Sequence, residues 1–213
     1  MGKININSVV IPNFGWPLTT SSESIKSWVN PEQTISLSIN YFSLEPDIPT
    51  LKNIDQLRDF FRKALAAQGY GMVELDILQT FGISMVKGIF KIPQRPFGMT
   101  YLASMTIPFE NCSFVIKVQA MESGATGMRD TVISQKLLTN NEISIGPNGF
   151  EGWFYDPYDE NIKDGLRMNR SEEEQYDSQF PEHPLSRSRE ILRDVLNKID
   201  FDSALENIPK FSK

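Results

Sequence analysis

The 213-residue chain predicts an α/β fold of the α+β type, an antiparallel sheet of about six strands flanked by helices. Three observations carry this. Segments between residues 34 and 121 alternate apolar and polar side chains with a period of two, as half-buried strands do. The links between them are too short for parallel crossovers, which need a dozen or more residues. Residues 54–68 instead repeat apolar side chains at three- and four-residue steps, the spacing of an amphipathic helix.

The elements follow in order. Residues 4–11 predict an opening strand, Asn13 to Pro17 a turn, and Thr19 to Ser22 the rest of that loop. Ile25 to Val29 and Thr34 to Phe42 flank Asn30-Pro31-Glu32-Gln33 as a hairpin. In its second arm Ile35, Leu37, Ile39 and Tyr41 alternate with Ser36, Ser38 and Asn40. The helix over 54–68 has Asn53 as N-cap, Gln56 three residues on, and Gly69 past its end. Strands at 72–79, 83–92, 99–107 and 113–121 make a meander, and helices near 127–138 and from Pro184 complete the set. The chain divides as a single domain, 1–213: a core sandwich over 1–138, an irregular segment over 139–182, a helix over 183–200 and a tail over 201–213. A segment of some forty irregular residues inside a domain is unusual and tends to be functional or disordered. Its Trp153, Phe154, Tyr155, Tyr158, Tyr176 and Phe180 argue for a segment draped over the domain and pinned by aromatics.

Composition narrows the function. Hydrophobic residues at 40% suffice for a packed core, and no apolar run approaches the roughly 18–20 residues of a spanning helix. The N-terminus lacks the apolar region of a signal peptide, and the single cysteine, Cys112, permits no intrachain disulfide, so a soluble cytoplasmic protein is expected. Residues 151–182 hold ten acidic and three basic residues, a balance of −7, while the remainder has seventeen acidic and eighteen basic, +1. No basic patch of the kind that neutralises phosphates stands out, so neither nucleic acid nor membrane is an expected partner.

Few residues could carry chemistry. His183 is the only histidine and sits at a helix entry, where a structural role competes with a catalytic one. Cys112 has no flanking base and reads as a buried thiol. No metal site follows from one His and one Cys, no cofactor motif is present, and the acidic run Asp156 to Asn161 lacks the spacing of a calcium loop. The most suggestive local feature is Gly124-Ala125-Thr126-Gly127-Met128-Arg129. A glycine turn into a helix N-terminus offers N–H groups to an anion, and Arg129 could add a bidentate contact. In the alternative, Thr126 caps the helix and Arg129 pairs with an acidic neighbour.

The element order, with a Pro-x-x-Gly-Trp turn at Pro12, Gly15 and Trp16, resembles the Mog1/PsbP-like group, which includes DcrB-like bacterial proteins. The resemblance covers about residues 4–138. It implies an α/β sandwich and non-enzymatic binding, since members of the group include a small-GTPase partner, a photosystem subunit and chaperones for secreted toxins. The expected function is therefore a non-enzymatic cytosolic binding or adaptor protein with a protein partner. A chaperone or immunity-type partner of a secreted effector, and an anion or small-molecule binder, stand as alternatives. An enzyme is least favoured, and a homodimer with an exposed apolar groove would favour the chaperone alternative. Candidate binding residues are Gly124, Thr126, Gly127 and Arg129 at the turn, and Trp153, Tyr155, Asp156, Tyr158 and Asp159 in the acidic segment.

Overall fold

The computed structural model describes residues 4–213. Seven strands form its large sheet: β1 (Leu18–Ser21), β2 (Ile25–Val29), β3 (Ile35–Phe42), β4 (Gly71–Thr80), β5 (Ile83–Pro93), β6 (Met99–Pro108) and β7 (Ser113–Met121). Their order is β1-β2-β3-β7-β6-β5-β4, with every neighbouring pair antiparallel. Two meanders thus meet at the β3/β7 seam, where eight consecutive residue pairs run from Ile35↔Ala120 to Phe42↔Ser113.

Three helices complete the frame: α1 (Ile54–Ala66), α2 (Met128–Thr139) and α3 (Pro184–Lys198). Asn53 caps α1, its side chain accepting from Gln56 N–H, and Gly69 takes a left-handed conformation (φ +72°) where the chain reverses into β4. One face of α1 packs Leu57, Phe61 and Leu65 against Phe90, Leu75 and Val86. Gly88 makes room for this, because a Cβ there would collide with the Phe90 ring that stacks on Phe61 (centroids 5.6 Å, planes 11° apart). On the other face of the sheet, Leu185, Ile191, Leu192, Val195 and Ile199 of α3 and its C-cap meet Leu37, Ile39, Met105, Ile116 and Val118. Period-two alternation in the strands and the 3.6-residue period in the helices supply these two faces directly.

Three expectations need correction. The sheet has seven strands, because Leu18–Ser21, expected as loop, is an edge strand. All four residues are exposed, so it has no apolar alternation to betray it. The expected opening strand over 4–11 is interrupted by a 3-10 turn, Ile6–Ser8, held by reciprocal Asn5 and Ser8 side-chain caps. Only Val9–Val10 forms a strand, and it pairs with Asp200–Phe201 outside the large sheet. Residues 139–182 contain regular pieces: a hairpin of Ser144–Gly146 and Gly149–Glu151, a ladder of Phe154–Tyr155 with Met168–Asn169, and 3-10 turns at Arg170–Glu172 and Glu174–Gln179. The C-terminal stretch also packs, with Phe211 buried and Leu51 N–H donating to Lys213 O. No helix among the described residues is long and apolar enough to cross a membrane.

Candidate functional site

The 139–182 segment is fastened to the sandwich by buried charge. Lys91 on β5 and Glu172 are each 1% exposed, and Lys91 Nζ donates to Glu172 Oε2 at 2.7 Å. Glu172 also accepts from Tyr101 OH (2.9 Å) and from Asn169 N–H (2.8 Å), so three donors surround one carboxylate. Burial, and then the Glu172 charge, push the Tyr101 phenol well above its ordinary pKa. Arg189 of α3 donates to Glu172 O and to both oxygens of Asp177. Ser171 Oγ reaches Asp130 on α2. A segment without apolar periodicity is thereby ordered through ion pairs and backbone carbonyls.

The outer part of the segment is held differently. Trp153 is buried among Ile133, Leu137, Ile143 and Tyr176. Phe150 and Phe154 both pack on its ring, with centroids 6.0 and 6.3 Å away. The Ser144–Gly146/Gly149–Glu151 hairpin places Ile145 directly opposite Phe150. Ile145 is 74% exposed, Phe150 41% and Phe154 45%, so three apolar side chains face solvent on a base fixed by one buried indole.

The sequence-predicted residues downstream of Trp153 mostly turn inward. Asp156 forms a bidentate pair with Arg62 of α1 (2.9 and 3.0 Å), and its Oδ1 also accepts from the N–H groups of Tyr158 and Asp159. Burial alone would raise the Asp156 pKa, but these donors, Arg62 foremost, hold it below its ordinary value. Asp159 accepts from the backbone and side chain of Asn161. These carboxylates serve the loop itself, and no group of three or more His, Cys, Asp or Glu side chains among the described residues could hold a metal ion. Tyr158 lies under the Arg58 guanidinium (3.4 Å to the ring centroid), and its hydroxyl accepts from Leu75 N–H at 2.6 Å. That bond ties the loop to β4, an edge strand of the sheet. Tyr155 OH donates to Glu173 Oε1 at 3.2 Å. Burial raises its pKa.

At the 124–129 turn, Gly127 rather than Thr126 is the N-cap of α2, in a left-handed conformation (φ +73°) with no side-chain cap. Gly127 N–H donates to Glu122 Oε1 at 3.1 Å. Gly124 is also left-handed (φ +70°), and Thr126 lies beside Gly98. Arg129 is 1% exposed and turned away from the turn. Its guanidinium donates to Ser171 O, Ser186 Oγ, Glu173 O and Asp177 Oδ1 at 2.7–3.0 Å. Four of its five N–H donors are thus taken from within the chain, and the guanidinium is buried away from an outside anion.

Beside the turn lies a cleft of about 360 Å³, walled by Met121, Met128, Phe180 and Pro184, with Glu122 and His183 among its lining residues. His183 is the N-cap of α3, with Nδ1 accepting from Leu185 N–H at 3.2 Å. Its Nε2 stands 3.4 Å from Glu122 Oε1. Met99 N–H donates to Glu122 Oε2 at 2.8 Å. Burial would raise the Glu122 pKa, but His183 and the two backbone N–H groups lower it overall. Sequence reasoning passed over Glu122, and the only local signal was its position between a strand end and a glycine turn. Cys112 is buried at the opposite end of β7, a strand length on the order of 30 Å from the Glu122–His183 pair. The thiol and the imidazole are therefore not partners.

No family model matches the chain, and no curated protein matches it in sequence. Among solved structures, the chain is similar to a substituted form of protein Mog1 at 10% identity and a TM-score of 0.47, covering 96% of this chain and 99% of that one. It is also similar to the Saccharomyces cerevisiae Ran-binding protein Mog1p at 9% identity and a TM-score of 0.43, covering 93% of this chain and 88% of that one.

Proposed function

We propose that the chain is a non-enzymatic, cytosolic protein-binding adaptor whose partner docks on the 144–151 hairpin and Phe154. The observation that carries this is the exposed trio Ile145, Phe150 and Phe154 on a base fixed by buried Trp153. Apolar side chains held rigid before binding lose little conformational freedom on docking, which is how interface anchors gain affinity. Tyr155, Asp156, Tyr158 and Asp159 support that surface by shaping and fastening the segment behind it.

Deleting the acidic segment is a poor test, because it removes Glu172, Asp177 and Tyr176 from the interior. The better one is the double variant Ile145→Asp with Phe150→Ser, used beside wild type in cross-linking and affinity capture from cells. The expected result is a partner that binds wild type and is lost with the variant, which still melts cooperatively but a few degrees lower, because Phe150 packs on Trp153. A partner that binds both equally places the interface elsewhere.

A further inference from the structure

The turn that the sequence offers to an anion already contains one. The Glu122 carboxylate takes the Gly127 N–H at the start of α2, and Arg129 is spent on Asp177, Ser186 and two carbonyls. This reverses the sign of the ligand that the adjoining cleft can accept. Its lining carries two carboxylates, Glu122 and Glu182, and one cation, Arg129, whose charge is matched by Asp177. His183 Nδ1 accepts from Leu185 N–H, which leaves the ring hydrogen on Nε2, 3.4 Å from Glu122 Oε1. No unpaired cation lines the cleft among the described residues.

We propose that this cleft binds a small organic amine, with its ammonium on Glu122 and its short aliphatic stem along Met121, Met128 and Phe180. A carboxylate offers about four acceptor positions. Gly127 N–H, Met99 N–H and His183 Nε2 occupy three, which leaves one for the ligand. The Glu122 side chain is only 10% exposed, so an ammonium reaching it exchanges water for a charge-assisted hydrogen bond in a shielded setting. Phe180, whose ring already carries the Arg129 guanidinium 5.8 Å from its centroid, adds apolar wall, and the two methionines adapt to an aliphatic chain. A volume near 360 Å³ lies at the small end of ligand cavities, which run from about 300 Å³ upward. The site is separate from the hairpin surface, so either reading can fail while the other stands.

His183 is the chain's single histidine, so its ring protons are a unique reporter inside the cleft. The full chain is titrated with n-pentylamine, sodium pentanoate and 1-pentanol at one pH while those protons are followed by NMR. The expected result is a saturable shift with pentylamine, reached at a concentration about tenfold below any shift from pentanol, and none from pentanoate. Ala125→Trp fills the wall from an exposed turn position and is expected to weaken the pentylamine response by about tenfold without moving the melting temperature. Glu122→Gln is expected to do the same to binding. An equal response to pentanoate or pentanol, or a full response in Ala125→Trp, overturns the proposal. A capped lysine peptide that saturates at lower concentration than pentylamine overturns the assignment to a free small amine and gives the site to a protein side chain.

Discussion

The large sheet and the 139–182 segment reach burial by opposite means. At the centre of β3, β6 and β7 the interior is apolar: Leu37, Ile39, Ala103, Met105, Ile116 and Val118 are at most 1% exposed. The segment is sealed by Lys91–Glu172, Arg129–Asp177 and Arg189–Asp177, while Ile145, Phe150 and Phe154 stay in water. An apolar core tolerates exchange among side chains of similar volume, because the driving force is not directional. A buried ion pair requires both partners in place, since each charge alone would be stranded in a poor solvent for it. The segment is therefore the more brittle region, although it has less regular structure.

That contrast can be broken most sharply at Glu172. Glu172→Ala strands the Lys91 ammonium and removes the acceptor for Tyr101 OH and Asn169 N–H, and a loss of about 3–5 kcal/mol is expected in urea unfolding. Adding Lys91→Met to it is expected to recover part of that loss, because no lone charge remains. An apolar counterpart, Leu37→Ala, is expected to cost a comparable ~2–5 kcal/mol, but adding Lys91→Met to it should recover nothing. Tyr101→Phe, which deletes one donor to the same carboxylate, is expected to cost about 1.5–3 kcal/mol.

Acid sharpens the comparison further. Glu122 and Asp156 both have folded pKa values below their unfolded ones, so each lends stability above the ordinary carboxylate range near about pH 4. That stability is lost as pH falls through the folded values. Thermal melts from pH 6 to pH 2.5 are expected to show the wild type falling steeply, and Asp156→Asn starting lower and falling less. The smallest effect is expected at the hairpin, where Ile145→Asp should change unfolding free energy by no more than about 0.5 kcal/mol, since Ile145 is mostly in solvent.

Much of this was legible without coordinates. The strands at 72–79, 83–92, 99–107 and 113–121 lie within observed strands, and α1 and α3 begin where Asn53 and Pro184 announce them. Residues 18–21 escaped because an edge strand wet on both faces has no periodicity to read. The 4–11 stretch misled because its apolar residues are buried from a 3-10 turn as well as from extended backbone. At the turn, the glycines and the helix start were readable, whereas the direction taken by the Arg129 side chain was not. Its acceptors lie 42–57 residues further along, on Ser171, Glu173, Asp177 and Ser186. The aromatics of the acidic segment were readable as anchors, but which ones face out was not. Trp153 and Tyr176 went into the interior, and the exposed row fell to Ile145, Phe150 and Phe154.

The amino-acid order by itself determined the antiparallel meander, the apolar faces of α1 and α3 and the concentration of acidic residues at 151–182, because periodicity and local caps act over a few residues. Only the tertiary structure decided that Glu122 fills the start of α2, that Arg129 turns inward, and that Glu172 meets Lys91 across 81 positions of chain. The pairing of charges depends on which distant segments the fold brings within about 3 Å, and no local pattern encodes that distance.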